Sequence, residues 1–482
     1  MIEKNKSGIF AFIKGFAKGA AYAAVAAFFL GVGLGIVATV RGGQAVAATN
    51  SSYEHLKVFA EVMTLIQNYY VEEKSPKDLT EGAIKGLLRT LDPHSAYMDK
   101  ESYEGRKQET EGKFGGLGIE ITIKDSYITI ISPMEDTPAE RAGLRAGDKI
   151  VKIDGVATKD MDLMDAVKKM RGEVGTKVTV TIYREENGKT PAPFDVELTR
   201  AEIKVHSVKS EMINDEIGYL RILSFSAATS SEAADALKKF KQKNFKSLVL
   251  DLRNNPGGLL KEAVEVSELF LKEGTTIVST KGRSPEQNSV YLSRNKGTYT
   301  DIPIVVLINA GSASAAEIVS GALKDTKRAI IVGNRSFGKG SVQTVRELSD
   351  GSGLSLTTAR YYTPAGIMIH GVGVSPDIEV KLRIEGRDDD GSEPIREKDL
   401  MEHFQGLKES RPEPKQKKPA VKEVPKNPKE TKDPKDTKDA KDKELGPRKV
   451  FDMEKDNQLQ RAVEVLKEWD IFRNMMSEKK AG

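Results

Sequence analysis

Ile304-Val305-Val306-Leu307-Ile308-Asn309-Ala310-Gly311-Ser312-Ala313-Ser314-Ala315-Ala316-Glu317 opens on an unbroken apolar run, crosses a turn of small residues and enters helix-forming sequence. An all-apolar run of this kind fits a strand covered on both faces. A serine at such a strand-to-helix turn presents its hydroxyl at the edge of a sheet, where small neighbours permit close approach. The local pattern is not G-x-S-x-G, and small residues also serve tight strand–helix packing. On this stretch alone both readings stand.

The flanking sequence repeats the same alternation. Ile217 to Ile222 and Ser247 to Leu252 read as strands, and Ser230 to Lys241 and Gly258 to Phe270 as helices. A helix from Ser314 to Leu323 and a strand from Ala329 to Val332 follow. Strands alternating with helices over 194–384 predict an α/β layered core. Residues 113–193 have a different character. Phe114-Gly115-Gly116-Leu117-Gly118-Ile119 leads into alternating strand sequence, Asp154-Gly155 signals a hairpin, Met161 to Met170 reads as helix and Lys177 to Tyr183 as strand. Residues 49–112 carry helical periodicity, with Leu56, Phe59, Ala60, Met63 and Ile66 on one expected buried face and Asp92-Pro93 as a turn. Residues 385–447 are rich in Lys, Pro, Glu and Asp and are expected to be a largely disordered linker, because they have little apolar surface to bury. Helical spacing returns over 448–482 in Leu459, Ala462, Val463, Leu466 and Trp469, a stripe that fits either self-association or packing on its own core.

Composition narrows the function. The chain has 482 residues, enough for two or three domains, and a net charge of +4, which argues against a whole-protein design for nucleic acid. It contains no cysteine, so thiol catalysis, disulfides and Cys-ligated zinc are excluded. No paired-histidine spacing points to a metal, and no cofactor is expected. Within residues 1–48, Lys4, Lys6, Lys14 and Lys18 precede an apolar run from Ala20 to Val40, and Ala45-Val46-Ala47 offers a cleavage site. This reads as a signal peptide or a retained signal anchor at the inner membrane, and in either case the rest of the chain is expected to be periplasmic or otherwise extracytoplasmic.

Two further turns could carry chemistry. Gly333-Asn334-Arg335-Ser336-Phe337-Gly338-Lys339-Gly340-Ser341 follows a strand and invites a P-loop reading. Gly340 stands where the Ser or Thr of a P-loop belongs, and β-branched Ser341-Val342-Gln343-Thr344-Val345 reads as strand rather than helix. A desolvated lysine between glycines can instead act as a general base toward a serine, whereas a solvated one is only a surface residue. Asp251-Leu252-Arg253-Asn254-Asn255-Pro256-Gly257-Gly258 ends a strand before a helix, as an oxyanion hole or simply as a tight turn. His370 is the alternative base.

These three sites in this order resemble the carboxyl-terminal processing (tail-specific) peptidases, serine proteases with a Ser–Lys dyad and a PDZ domain. Lys339 lies 25 residues after Ser314, and the resemblance extends over Leu91-Asp92-Pro93-His94-Ser95 and Gln458-Leu459-Gln460-Arg461-Ala462. It implies a multidomain α/β chain with an N-terminal helical segment, a PDZ-like domain, a Clp/crotonase-like core and a C-terminal helix; the Lys/Pro-rich linker before that helix is longer than the family typically needs. It implies Ser314 as nucleophile, Lys339 as base, Gln343 holding the lysine, and an oxyanion hole from Ala315 with Gly257 or Gly258. Asp325 matches a position implicated in activity or structure. Leu117, Gly118 and Ile119 resemble the PDZ loop that captures a chain terminus. The implied partners are protein substrates bound by their C-termini, an activating adaptor and a second copy of the chain. The reading from another class is a PDZ scaffold with an inactive core.

Overall fold

A computed structural model describes residues 53–185, 192–294, 298–383, 395–409 and 450–481. The expected signal or anchor segment and the Lys/Pro-rich stretch 410–449 lie outside the described residues. Among the described residues, no helix is long and apolar enough to cross a membrane. The chain divides into two units, Met1–Gly86 and Leu87–Gly482.

In the first unit, helix α1 (53–69) precedes α2 (Pro76–Leu88). The periodicity gave α1 correctly, but its stripe is not buried among the described residues: Leu56 is 64% and Phe59 46% exposed. Helical spacing specifies a face and does not supply its cover.

The second unit opens with β1 (Ala96–Met98) and α3 (Lys100–Glu111), the latter capped by Asp99, which accepts from the Ser102 amide. The PDZ-like module follows as β2 (Lys113–Gly116), β3 (Ile119–Lys124), β4 (Tyr127–Pro133), α4 (Pro138–Arg141), β5 (Lys149–Ile153), β6 (Val156–Ala157), α5 (Leu163–Met170), β7 (Lys177–Tyr183), β8 (Phe194–Thr199) and β9 (Ala201–Lys204). Strands β3-β4-β5-β7-β8 form an antiparallel sheet with β6 on β5, and β2 pairs with β9. The Asp154-Gly155 turn joins β5 to β6 as its sequence predicts. Val178, Val180 and Ile182 alternate into the module core with strand periodicity. Asp148 is buried and receives the Arg184 guanidinium at 2.7 Å and the Arg145 amide at 2.8 Å, closing the Gly143–Asp148 segment on the sheet.

The core then runs β10 (Val208–Met212), β11 (Ile217–Ile222), α6 (Thr229–Gln242), β12 (Ser247–Asp251), α7 (Leu260–Glu268), β13 (Thr276–Gly282), β14 (Ser289–Leu292), β15 (Ile304–Ile308), α8 (Ala315–Asp325), β16 (Ile330–Gly333), β17 (Ser341–Glu347), β18 (Gly353–Tyr362) and β19 (Ile378–Glu379). The main sheet has the order β10-β11-β12-β15-β16-β19, parallel except for β10. Alternation decides its two faces. Leu248, Leu250, Ile304, Val306 and Ile308 point to the side of α6, α7 and α8, while Val249, Val305 and Leu307 point to the other. That other face is covered by α10 (Asn457–Ala481), whose Leu459, Ala462, Val463 and Leu466 are buried. Four residues of the stripe therefore pack on the chain's own core, while Trp469 at its far end is 48% exposed. A second, antiparallel sheet, β1-β18-β13-β14 with β17 on β18, flanks the first.

One stretch departs from expectation. Within the region read as linker, α9 (Glu397–Glu409) is a helix with acidic residues in its first turn, which suits the helix dipole. Its one fully buried residue among those described is a carboxylate, Glu397, while Leu400 is at the surface. Compositional reasoning looks for apolar anchors and misses this one.

Candidate active site

The three sequence sites leave the C-terminal ends of adjacent parallel strands: Asn254 to Gly258 after β12, Asn309 to Ser314 after β15 and Asn334 to Gly340 after β16. The crevice beyond such strand ends is where open α/β sheets bind ligands. Side-chain amides tie the first two turns together. Asn309 Oδ1 accepts from the Asn254 amide at 2.9 Å and the Gly311 amide at 3.0 Å, and its Nδ2 donates to Asn254 Oδ1 at 2.9 Å. The third turn joins through Phe337, whose amide donates to the Ser312 carbonyl at 3.0 Å.

The two serines of the turn are separated by their surroundings. Ser312 is fully buried; its hydroxyl donates to the Leu252 carbonyl at 2.8 Å and accepts from the Asn309 amide at 2.9 Å. Ser314 is partly exposed and is held at φ 54°, a left-handed conformation that costs a non-glycine residue free energy. It immediately precedes α8. This is the geometry of an exposed nucleophile turn, reached without its usual glycine pattern.

The turn is held by Glu317. Its Oε2 accepts from the Ser314 amide and the Lys339 amide, both at 2.8 Å, while Oε1 accepts from the Gly338 amide at 2.7 Å and from the Ser336 hydroxyl. One buried carboxyl group thus joins the serine turn to the lysine loop. Burial is the largest influence on it and pushes its pKa up to about 7, while the four donors favour the ionised form. The sequence contains this glutamate at the end of the Asn309–Glu317 motif, but spacing alone does not reveal that the lysine loop closes on it.

Gly257 packs on the serine: a Cβ there would lie 2.7 Å from Ser314 Cβ and 2.9 Å from the Ala313 carbonyl oxygen, and its φ of 99° also requires glycine. The Gly257 amide is already used, donating to Asn255 Oδ1 at 2.8 Å. The amides of Gly258 and Ala315 donate to no acceptor among the described residues. Of the two glycines left open by the sequence, Gly258 is the one with an N–H to offer.

Lys339 is partly buried, and its ammonium has no hydrogen-bond or ion-pair partner among the described residues. Burial lowers its pKa, and the Arg106 charge lowers it further, while Glu397 and Glu317 act in the opposite sense. Gln343 lies on β17, where its Nε2 donates to Thr357 Oγ1 at 2.8 Å; no bond joins it to Lys339. The Thr357 amide in turn donates to Ser95 Oγ at 3.2 Å, and the Ser95 hydroxyl donates to Asp92 at 2.9 Å. Asp325 accepts from the Ala365 amide at 2.9 Å, tying the end of α8 to a turn. His370 faces Glu397, with Nδ1 3.6 Å from Glu397 Oε1. Burial, then the Arg360 charge, depress its pKa.

In the PDZ-like module, Leu117, Gly118 and Ile119 line a groove with Phe114, Ile121, Val167, Met170 and Arg171. The Arg171 guanidinium lies 4.3 Å from the Phe114 ring centroid. The groove therefore combines apolar walls, a free side of β3 and a cation.

A strand-end serine turn in an α/β core, preceded by a PDZ-like module, is the arrangement of a serine hydrolase with an attached module. Three family profiles match: peptidase family S41 over residues 216–380, a PDZ domain over 129–184, and the activating protease CtpB N-terminal domain over 34–102. The carboxy-terminal-processing protease of Bartonella bacilliformis is 44% identical over 394 residues, covering 80% of this chain and 88% of that protein. The carboxy-terminal processing protease CtpA of Bacillus subtilis is 37% identical over 334 residues, 69% of this chain and 68% of that one. Among solved structures, the photosystem II D1 C-terminal processing protease is 33% identical, covers 67% of this chain and 86% of that one, and superposes with a TM-score of 0.40. The chain belongs to the carboxy-terminal-processing proteases of peptidase family S41.

Proposed function

We propose that this serine peptidase works outside the cytoplasm, captures protein substrates by their C-termini in the PDZ groove, and cleaves them with Ser314 and Lys339 as a catalytic dyad. The observation that carries the dyad is the Glu317 carboxylate, which receives the backbone amides of both residues. In the reaction the neutral Lys339 amine takes the Ser314 proton as the hydroxyl attacks the peptide carbonyl. Lys339 then returns the proton to the leaving amine, and the acyl-enzyme is hydrolysed by a water that Lys339 activates in the same way. The amides of Ala315 and Gly258 would receive the oxyanion, at about 2.7–4 kcal/mol of transition-state stabilisation per donor. The lowered Lys339 pKa supports its role as base, because a neutral amine is then available closer to neutral pH.

Recognition of C-termini is supported by the groove at Leu117, Gly118 and Ile119, whose adjoining strand can add an extended peptide to its sheet. The extracytoplasmic location is supported by the basic and apolar sequence between Lys4 and Val40, which would also supply contact with the inner membrane. The match to the N-terminal domain of an activating protease supports a role for residues 34–102 in control, through an adaptor or a second copy of the chain. The test is cleavage of an unfolded reporter with an apolar C-terminus, followed by mass spectrometry. Wild type should cut it and cut an amidated-terminus version more slowly, while Ser314→Ala and Lys339→Ala should be silent. Cleavage surviving in both variants would end the dyad, and equal cleavage of both reporters would end C-terminal capture.

A further inference from the structure

The N-terminal turn of α9 is seated beside the lysine loop by three contacts, all made by Glu397. Its amide donates to the carbonyl of Phe337, two residues before Lys339, at 3.1 Å. Its carboxylate Oε1 lies 2.7 Å from His94 Nε2 and 3.6 Å from His370 Nδ1. The side chain is 0% exposed. These contacts reach three segments that meet at Glu397, whose charge acts on Lys339. Phe337 belongs to the lysine loop itself. His370 lies against Gly340, where an added Cβ would fall 2.2 Å from the His370 amide nitrogen. His94 belongs to the turn whose Ser95 is bonded to Thr357, the partner of Gln343.

The seating leaves several polar atoms without a protein partner. Glu397 Oε2, His370 Nδ1 and Arg396 Nε are buried without a hydrogen-bond partner. A buried carboxylate with one oxygen unsatisfied gains little over its hydrated state, so its release costs little. Past this first turn, Leu400, Glu402, His403 and Gln405 are exposed and Met401 and Phe404 are half-buried, so Glu397 is the one fully buried side chain among the described residues of the segment. The carboxylate also favours the protonated form of Lys339, the form that cannot accept a proton from serine.

We propose that residues 395–409 form an autoinhibitory latch, in which Glu397 docks on His94, His370 and the Phe337 carbonyl beside Lys339 and must leave before the site works at full rate. The proposal rests on Lys339 being the base of the proposed dyad. Docking keeps the lysine loop, the His370 turn and the Asp92–Ser95 turn in one arrangement, with Gln343 bonded to Thr357 instead of Lys339. Displacement of α9 by a substrate chain or a bound partner rehydrates Glu397 and frees these segments together.

The test uses the full chain with Glu397→Ala and Glu397→Gln, an unstructured peptide substrate, labelling of the nucleophile by a fluorophosphonate, and thermal melting. If the open state is a minor one of about 10% or less, removing the latch raises both turnover and labelling by about tenfold or more. Adding Ser314→Ala should abolish the gain. A gain that survives Ser314→Ala leaves the latch standing and moves the nucleophile elsewhere. Turnover equal to or below wild type in the folded Glu397→Gln protein, with Ser314→Ala inactive, overturns the latch while sparing the dyad, and makes Glu397 a positioning residue.

Discussion

Replacing Glu317 by glutamine tests whether one carboxylate holds the serine turn and the lysine loop together. The carboxylate accepts four hydrogen bonds, two on each oxygen. An amide keeps one oxygen and turns an NH2 group toward the other two donors. If its oxygen keeps the Ser314 and Lys339 amides, the Ser336 hydroxyl can rotate to accept from the new NH2. The Gly338 amide is a donor with no such freedom and is left facing another donor in a buried site. An orphaned buried donor costs about 1–3 kcal/mol, and above the Glu317 pKa, where the group is ionised, changing the remaining bonds from charged to neutral removes roughly 1 kcal/mol each. The expected loss of stability is therefore about 3–5 kcal/mol, a large share of the ~5–15 kcal/mol that holds a domain folded. The lysine loop shifts to relieve the clash, and a displacement of about 1 Å at a reacting group costs on the order of 10²-fold in rate. Urea denaturation followed by intrinsic fluorescence gives the first quantity, and kcat and KM on an unstructured peptide give the second. The loss should fall on kcat. A Glu317→Gln protein with wild-type stability and turnover would refute the view that this carboxylate assembles the site.

Three other outcomes follow from the same geometry. Lys339→Met should abolish cleavage yet stabilise the fold at neutral pH, because the lowered lysine pKa means that burial penalises the charge. Below the folded pKa wild type bears that penalty in full and recovers it as pH rises toward the unfolded lysine value, so the variant's advantage should shrink with rising pH in parallel melts. Ser312→Ala should cost about 1–3 kcal/mol, since it removes the partner of the half-buried Asn309 amide, but should leave covalent labelling of Ser314 intact. Leu466→Ala, at a side chain 1% exposed between α10 and the sheet, should cost about 2–5 kcal/mol without altering cleavage specificity, as read by denaturation and product mapping.

The α/β core was legible because its central strands are buried on both faces. Leu248-Val249-Leu250 and Ile304 to Ile308 cannot be apolar throughout unless both sides are covered, and α6–α8 with α10 supply those covers. The serine turn was legible as a position in chain order. The choice between Ser314 and Ser312 came from a resemblance, and the structure adds a physical difference in burial and bonding. What composition could not reach are the contacts that buried carboxylates make with residues far along the chain. Glu317 meets Gly338 and Lys339 across a loop, and Glu397 meets His94 across most of the chain. Hydrophobic periodicity has nothing to say about a buried carboxylate, so the composition of 385–447 does not reveal α9. The exposed stripe of α1 is the opposite case, in which a correct pattern was assigned a cover that the described residues do not supply.

Whether Ser314 is the nucleophile activated by Lys339 is decided by fluorophosphonate labelling of the full chain across a pH series, with the modified peptide located by mass spectrometry. A single adduct should form on Ser314, at a rate that rises with pH through the lowered lysine pKa and loses that dependence in Lys339→Met. An adduct on Ser312 or on a serine outside the Asn309–Glu317 turn, or Ser314 labelling that is indifferent to Lys339, would contradict the dyad.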